Sequence, residues 1–356
     1  MRKWLVVATL LAGIIVSLSF INSTTSLRRI YSQAPDKWPK PFVDSGIQWN
    51  ELGLLPESPL QPHLDSLKHL IELGKVLFFD PRLSGSGKIS CATCHQPALS
   101  WTDGKERSVG HAGAINKRNS PTIQNSWFYK RLFWDGRAKD LEDQAFAPIN
   151  SESEMHSDMR ELPRNLRAIK GYAALFDSAY GDPAIDPDRI AGAIAAFEST
   201  IISRQSKFDT FLMGKKNALS NEELRGLHVF RTKAKCMNCH NGPLFTDNQF
   251  HNSGFHLNGN PENDKGLYNV THKEEDIGKF KTPSLRDVMK TGPWMHNGIM
   301  THINDIILHY NKLSPRPGRT DTEMLYLSNK EITDLTSFLQ AISSPPLEFK
   351  PPALPE

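Results

Sequence analysis

The sequence predicts a mainly α-helical protein made of two similar units connected by long loops. The pattern Cys-x-x-Cys-His occurs twice, at Cys91–His95 and Cys236–His240, with the two copies 145 residues apart. Apolar residues at helical spacing precede each copy. Gly74–Phe78 and Gly226–Phe230 occupy corresponding places before the two copies. These observations indicate a duplicated helical unit, and 356 residues are enough for two domains, each with its own core.

The Cys-x-x-Cys-His pattern is an attachment site for haem c. Its two thiols can add across the vinyl groups of one porphyrin, and the histidine then becomes the proximal ligand of the iron. The four cysteines of the chain, Cys91, Cys94, Cys236 and Cys239, all lie in the two copies. A structural zinc site would leave His95 and His240 without a role, and a thioredoxin-like pair needs one copy and no histidine. The sequence therefore predicts two covalent haem c groups in two cytochrome-c-like domains.

Residues 1–21 have the layout of a secretory signal. Arg2 and Lys3 are followed by a mostly apolar run from Trp4 to Ile21. The run is about as long as the shortest bilayer-spanning helices, so an uncleaved anchor in the inner membrane is the alternative. Export to the periplasm agrees with the cysteine usage, because haem c is attached on the outer side of the bacterial inner membrane. The net charge of +3 gives no indication of nucleic-acid binding.

The rest of the chain divides into four predicted segments. Residues 22–63 contain several prolines, with Trp38 and Trp49 between them, and predict an extended arm. Residues 64–185 are predicted to form the N-terminal haem domain. Residues 186–345 are predicted to form the C-terminal haem domain, and residues 346–356 a proline-rich tail without a visible interaction motif.

Local signals predict where individual helices begin and end. A helix from Leu64 ends at Asp80-Pro81, and Asp186 followed by Pro187 is a cap with proline in the first turn. Ser220 with Glu223 forms a capping box, and Ser328 with Glu331 lies near the start of another helical pattern. One further helix has its apolar positions at i, i+3, i+4 and i+7, which are Ile303, Ile306, Ile307 and Tyr310. Tyr310 is therefore expected on a buried helix face.

Between Cys91 and Asp158 the sequence is rich in loops and in short signatures. These are Ser-Val-Gly-His111-Ala-Gly, Arg118-Asn119-Ser-Pro-Thr122, Phe133-Trp134-Asp-Gly-Arg137, Gln144, Pro148 and Glu154-Met155. Their order and spacing resemble the bacterial dihaem cytochrome c peroxidase family, including its relatives of the MauG type. The resemblance extends over roughly residues 65–345.

The resemblance implies a peroxide site at the first haem, whose proximal ligand is His95. Glu154 corresponds to the distal glutamate, a carboxylate that can take a proton from one peroxide oxygen and deliver one to the other. Gln144 and Pro148 correspond to residues of the same pocket. Trp134 corresponds to a tryptophan that lies between the two haems, where a large indole can serve as a bridge for electrons, and the alternative is an ordinary core tryptophan. His111 corresponds to a histidine that closes the sixth position of this haem at rest, whereas MauG-type relatives have no such ligand and His111 would then be a loop residue.

The resemblance also implies a calcium ion between the domains. Its ligands would be the side chain of Asn119 and main-chain carbonyls around Thr282 and Pro283, since calcium binds neutral oxygens when waters complete its shell. Asn119 by itself is more typical of a turn.

The second haem has His240 as its proximal ligand, and its sixth ligand is an open question. In dihaem peroxidases with a methionine-ligated electron-transfer haem, that methionine occupies the position of Tyr310, and tyrosine is the MauG-like residue. Methionine favours ferrous iron and tyrosinate favours higher oxidation states. If Tyr310 only packs in the core, the sixth ligand is Met295, Met300 or absent.

Three functions remain. The first is a peroxidase that reduces hydrogen peroxide to water with electrons from a small c-type cytochrome or another periplasmic redox protein. The second is a MauG-like oxidase that draws electrons from side chains of a partner protein through a high-valent dihaem state, as Tyr310 suggests. The third is a non-enzymatic electron carrier, which Glu154 and the pocket residues disfavour. The sequence leaves the oligomeric state open, with a homodimer as one candidate.

Overall fold

The computed structural model describes residues 26–58, 60–255, 264–312, 320–322, 324–346 and 348–356. Within these ranges the protein is mainly helical, which confirms the predicted fold class. The predicted signal or anchor at residues 1–21 lies outside the described residues. Among the described residues, no helix has the length and apolar character needed to cross a membrane.

The helices are numbered here in chain order. They are α1 (Lys68–Phe79), α2 (Cys91–Cys94), α3 (Leu141–Asn150), α4 (Leu162–Arg167), α5 (Tyr172–Tyr180), α6 (Pro187–Glu198), α7 (Lys207–Leu212), α8 (Asn221–Arg231), α9 (Tyr268–Thr271), α10 (Ile303–Lys312) and α11 (Asn329–Ala341). Residues 26–31 are also helical. Two short strands, β1 (Phe250–His251) and β2 (Phe280–Lys281), pair antiparallel, with Phe250 opposite Lys281.

Helices α1, α5 and α6 pack around the N-terminal core. Helix α1 buries Leu73, Leu77 and Phe78 on one face. The sequence predicts this helix from Leu64, but residues 64–67 form turns and the helix begins at Lys68. Its end before Asp80-Pro81 is as predicted, because proline cannot continue the hydrogen-bond ladder.

Helix α6 packs into the N-terminal core, whereas the sequence places it at the start of the C-terminal domain. Its cap is as predicted: the Asp186 carboxylate accepts a hydrogen bond from the main-chain N–H of Arg189 at 2.9 Å. Its buried residues Ile190, Ile194 and Phe197, however, belong to the N-terminal cluster. A cap marks where a helix begins but not which core the helix joins. By packing, therefore, residue 186 is not the boundary between the two cores.

Helices α8 and α11 form the centre of the C-terminal core. Both begin with capping boxes: Glu223 N–H donates to the Ser220 hydroxyl at 3.2 Å, and Glu331 N–H donates to the Ser328 hydroxyl at 3.4 Å. Four aromatic rings pack together between these helices and their neighbours, Phe208, Phe230, Phe245 and Phe338. Each half of the protein thus has its own apolar centre.

The arm and the tail pack on opposite halves. Tyr31, Trp38 and Leu52 of the arm are buried in the C-terminal core. At the other end of the chain, Phe349 stacks on Phe79 with ring centroids 5.4 Å apart, against the N-terminal core. The described parts of the arm and the tail therefore pack on different cores.

Two glycines in corresponding positions allow the main helix pairs to approach closely. A Cβ atom added at Gly74 in α1 would lie 1.8 Å from the carbonyl oxygen of Ala193 in α6. One added at Gly226 in α8 would lie 1.9 Å from the carbonyl oxygen of Asp334 in α11. Both duplicated glycines therefore sit where one helix touches the backbone of its partner.

Gly74→Ala and Gly226→Ala should each lower the free energy of unfolding by about 1–3 kcal/mol, because the added methyl group forces the helices apart. Denaturant unfolding of the purified protein measures the change. Gly192→Ala in α6 is the matched control, since its Cβ would meet only the Tyr180 hydroxyl at 3.4 Å. Alanine is also the better helix former, so this control should be neutral or stabilising. Equal stability of all three variants would contradict the close-packing argument.

Candidate functional site

Both Cys-x-x-Cys-His patterns open onto one cavity of about 1020 Å³. Its walls include the two sets of attachment residues, Cys91, Cys94 and His95 in the N-terminal half and Cys236, Cys239 and His240 in the C-terminal half. None of these four cysteines forms a disulfide. One continuous space is therefore bordered by both predicted haem-binding sets.

The two predicted proximal histidines, His95 and His240, are each held by a main-chain carbonyl. His95 Nδ1 lies 3.1 Å from the carbonyl oxygen of Trp101, and His240 Nδ1 lies 3.0 Å from that of Phe245. A carbonyl can only accept a hydrogen bond, so Nδ1 carries the proton and Nε2 keeps its lone pair for a metal. Burial lowers the pKa of both imidazoles, which favours the neutral, ligating form.

The same main-chain hydrogen bond closes the cysteine turn in both copies. The N–H of His95 donates to the carbonyl of Cys91 at 2.9 Å, and that of His240 donates to the carbonyl of Cys236 at 2.8 Å. Burial raises the pKa of Cys91 and raises that of Cys236 to about 12, so these thiols are neutral. In the described part of the chain, no group of three or more His, Cys, Asp or Glu side chains is placed to hold a metal ion. The residues thus fit two haem attachment sites and do not fit the zinc alternative.

A pair of equivalent loops occurs at the junction of the two halves, and the sequence analysis did not detect it. Leu132 pairs with Ala138 around Trp134, and Trp294 pairs with Met300 around His296. The carbonyl of Trp134 accepts a hydrogen bond from the N–H of Lys281 at 2.8 Å, and the carbonyl of His296 accepts one from the N–H of Asn119 at 2.9 Å. Each loop is therefore tied to the opposite half by a main-chain hydrogen bond, and His296 takes the place of Trp134 in the second copy.

The indole of Trp134 is fixed on the cavity wall. Its Nε1–H donates to the carbonyl of Asn119 at 3.0 Å. The next residue, Asp135, accepts a hydrogen bond from Arg118 at 2.6 Å, and the same guanidinium binds Asp264 of the C-terminal half at 2.7 Å. This ion-pair network holds the Trp134 loop where the two halves meet.

Glu154 lies on the cavity wall in the loop after α3. Its carbonyl accepts a hydrogen bond from the N–H of His111 at 2.9 Å, and its neighbour Met155 is buried. Burial raises the pKa of the Glu154 carboxyl, and the charge of Arg137 opposes this shift. A raised pKa brings a carboxyl group nearer to the range in which general acid–base groups work best.

Gln144 and Pro148 line the same cavity from α3. The helix starts at an aspartate cap, where Asp140 accepts a hydrogen bond from the N–H of Asp143 at 2.8 Å. The carbonyl of Pro148 accepts a hydrogen bond from the N–H of Met155 at 3.2 Å, which connects the helix to the Glu154 loop. The structure thus brings Gln144, Pro148 and Glu154 onto the wall of one cavity.

His111 is not part of the cavity wall, although its neighbour Gly110 is. The His111 ring stacks on His156, with ring centroids 4.2 Å apart and an interplanar angle of 20°. Its Nδ1 is buried without a hydrogen-bond partner among the described residues. This arrangement does not present His111 as an iron ligand, and its role as a sixth ligand stays a prediction.

Tyr310 faces the cavity from α10, together with Ile303, Ile306 and Ile307. The helix face predicted from the spacing of these residues is therefore the one that borders the site. Burial raises the pKa of the Tyr310 phenol, the nearby Cys239 thiol adds to this effect, and a hydrogen bond with Ser253 opposes it. Of the alternative ligands, Met295 also lines the cavity and Met300 does not.

The three predicted calcium ligands, Asn119, Thr282 and Pro283, all line the cavity. The Asn119 amide nitrogen donates to the carbonyls of Lys105 at 2.9 Å and Glu106 at 3.3 Å, which leaves the Oδ1 lone pairs for another partner. The Thr282 carbonyl accepts a hydrogen bond from the Thr246 hydroxyl at 2.7 Å. The oxygen types suit calcium, and Asn119 and Thr282 also make these structural hydrogen bonds.

Two ionisable residues of the cavity wall were missed in the sequence. The Nζ atom of Lys281 lies 3.3 Å from the centre of the Tyr129 ring. Burial lowers the pKa of Lys281 to about 7, and the charge of Asp247 opposes this shift. Glu198 is buried at the end of α6. A signal for Glu198 was present, because it follows Ile190 and Ile194 at helical spacing and therefore shares their buried face. No comparable signal marks Lys281.

Comparison with known proteins identifies the family. The model of the di-haem cytochrome c peroxidases matches residues 68–217. A methylamine utilization protein MauG from Methylophilus methylotrophus is 39% identical over 290 residues, which cover 80% of this chain and 85% of the relative. The chain belongs to the di-haem cytochrome c peroxidase family. A cytochrome c551 peroxidase from Nitrosomonas europaea is 35% identical over 301 residues, covering 84% of this chain and 87% of that protein.

A solved structure agrees with this assignment. The crystal structure of a MauG-like protein associated with microbial copper homeostasis aligns with a TM-score of 0.72 and 27% identity, covering 85% of this chain and 96% of that chain. As a di-haem cytochrome c peroxidase, the protein is an oxidoreductase of the peroxidase type that binds two haem c groups. Cys91, Cys94 and His95 would hold the first haem, and Cys236, Cys239 and His240 the second.

Proposed function

We propose that the protein reduces hydrogen peroxide to water in the periplasm, with electrons from a small c-type cytochrome. The observation that carries this proposal is the single cavity bordered by both haem-binding sets, with Glu154 and Trp134 on its walls. An electron carrier needs neither a carboxyl group on a cavity wall nor a cavity next to its haem.

Glu154 is the proton-transfer residue of this proposal. Reduction of one peroxide molecule consumes two electrons and two protons and yields two water molecules. When bound, the first haem supplies the iron to which peroxide binds. The Glu154 carboxylate takes the proton from one peroxide oxygen and delivers it to the other, which then leaves as water. Burial raises the pKa of Glu154 and so brings it nearer to the operating pH, where a general acid–base group is most effective.

Trp134 is the proposed connection for electrons between the two sites. Its indole is fixed at the junction by the hydrogen bond to Asn119 and by the Arg118 ion pairs described above. A rigid aromatic group keeps the distance between donor and acceptor constant. Electrons that enter through the second haem would therefore reach the first without movement of the chain.

A MauG-like oxidase is the second candidate, and Tyr310 is the observation that favours it. The phenol borders the second haem-binding set, where methionine would be expected in a cytochrome-fed peroxidase. A tyrosinate ligand would favour higher oxidation states of the second iron. Oxidising equivalents shared between the two haems could then be used to oxidise side chains of a partner protein.

Calcium at Asn119, Thr282 and Pro283 is proposed as a structural component. Neutral carbonyl and amide oxygens are suitable calcium ligands when water completes the shell. A cation there would join the N-terminal Asn119 to the C-terminal segment next to β2. It would thus fix the junction that also holds Trp134.

The proposal is tested with the haem-loaded protein, hydrogen peroxide and a reduced small c-type cytochrome. We expect two cytochrome molecules to be oxidised for each peroxide consumed, measured by the loss of the ferrous absorption band. Trp134→Phe should slow this turnover while a haemochrome assay still finds two haems. Peroxide consumption without cytochrome oxidation would contradict the proposal and favour the MauG-like candidate.

A further inference from the structure

Glu198 is a buried carboxyl group that the proposed mechanism does not use. It lies at the C-terminal end of α6, is only 4% exposed and forms part of the cavity wall on the side of Cys91. Within the described residues, its carboxyl group has no hydrogen bond and no ion pair. A buried ionised carboxylate without a partner is very unfavourable, so such a group is expected to remain protonated.

The charged and titratable groups around Glu198 all favour its neutral form. Burial is the main effect, and the carboxylate of Glu142 on α3 adds to it, so that the pKa of Glu198 rises to about 8. The charges of Glu198 and Glu154 both contribute to the raised pKa of the Cys91 thiol in α2. No ionisable group described on α1, which also packs against α6, contributes to the pKa of Glu198. The first haem-binding set is therefore flanked by two carboxyl groups, and Glu198 has no cation near it.

We propose that Glu198 is a redox-linked proton carrier of the first haem site: it takes up one proton when the site is reduced and releases it when the site is oxidised. The inference rests on the proposed function in that it requires a haem at Cys91, Cys94 and His95. Oxidation adds one positive charge to the cavity, and a nearby positive charge favours the carboxylate. Reduction removes that charge and favours the neutral acid.

The coupled step balances in charge and atoms. One electron from an external one-electron donor enters the site, and one proton from solvent converts the Glu198 carboxylate to the carboxylic acid. The net charge of the buried site is then unchanged, which avoids the cost of an uncompensated charge in the cavity. Peroxide reduction needs two protons with its two electrons, so Glu198 would deliver one proton together with one electron. Glu154 would remain the group that moves the proton between the peroxide oxygens.

The test is a redox titration of the haem-loaded protein between about pH 6 and about pH 9, around the pKa that burial gives Glu198. For the wild type, the equilibrium constant for one-electron reduction of the first haem should fall by up to tenfold per pH unit. This corresponds to a decrease of about 59 mV in the reduction potential per pH unit. Glu198→Gln should remove this dependence, because the amide has the shape of the neutral acid but cannot titrate. Glu152→Gln, which changes a solvent-exposed carboxylate in the loop after α3, is the matched control and should retain it.

An infrared difference spectrum of the wild type, reduced minus oxidised, should contain the C=O stretch of a protonated carboxylic acid, and Glu198→Gln should lack it. A Glu198→Gln protein that keeps the pH dependence, or a wild type without the carboxylic acid band, would overturn the proposal. The wild-type spectrum gives a result even if the variant does not load haem. Because neither measurement uses peroxide or a cytochrome, failure of the proposed peroxidase function would not affect the outcome.

Discussion

Glu154→Gln should slow the reaction of the haem-loaded protein with peroxide by about 10²–10⁴-fold, the usual contribution of a positioned general acid–base group. The amide of glutamine keeps the size of the side chain but can neither take the proton from one peroxide oxygen nor deliver it to the other. Stopped-flow absorption spectroscopy of the haem bands measures the rate. Haem content and the resting spectrum should be unchanged, because Glu154 is in the loop after α3 and is not part of either attachment turn.

Glu152→Gln is the matched control for this prediction. Glu152 is in the same loop two residues earlier, but its side chain is exposed to solvent. The control variant should react at the wild-type rate. If Glu154→Gln and Glu152→Gln react equally fast, Glu154 is a loop charge without a catalytic role.

Local features of the fold could be predicted from the sequence because their causes are local. The caps at Asp186, Ser220 and Ser328 form as predicted, since each depends on a side chain and a main-chain N–H three residues apart. The end of α1 before Asp80-Pro81 follows from the missing N–H of proline. The face of α10 that carries Tyr310 follows from the spacing of its isoleucines.

Features that depend on contacts between distant segments could not be predicted in this way. The packing of α6 into the N-terminal core depends on its contact with Gly74 of α1, which is more than a hundred residues away. The ring of His111 stacks on His156, and nothing in the local sequence of His111 predicts this contact. Trp134 and His296 can be recognised as equivalent only in the structure. There, the carbonyl of each accepts a main-chain hydrogen bond from the opposite half of the protein.

The position of Glu154 is an intermediate case. In Ser-Glu-Ser-Glu-Met the residue has the local pattern of a solvated loop charge, and only its spacing from other signatures indicated a role. The structure places it on the cavity wall because Met155 is buried and the loop is tied to His111 and to Pro148. The spacing of apolar residues around Glu154 does not predict either contact.

The two candidate functions differ most in what they require of Tyr310. Burial raises the pKa of the phenol, so a phenolate is unfavourable there unless the charge of an iron compensates it. If the phenolate is the sixth ligand, the second haem should be difficult to reduce, and the resting protein should react with peroxide without prior reduction. If the phenol is neutral and only packs in the core, the second haem should be readily reduced by a small cytochrome.

Tyr310→Met should therefore raise the reduction potential of the second haem by on the order of 0.1–0.4 V, within the range of about 0.8 V that axial ligands span. A thioether stabilises ferrous iron, so this variant should shift toward cytochrome-dependent turnover. Tyr310→Phe should change the spectrum of the second haem but keep both haems attached, because attachment depends on the cysteines. Met295→Leu is the control, since Met295 is the other candidate ligand on the cavity wall. A wild type that reacts with peroxide only after one-electron reduction, together with an unchanged Tyr310→Phe spectrum, would make Tyr310 a packing residue and leave the cytochrome-fed peroxidase as the better account.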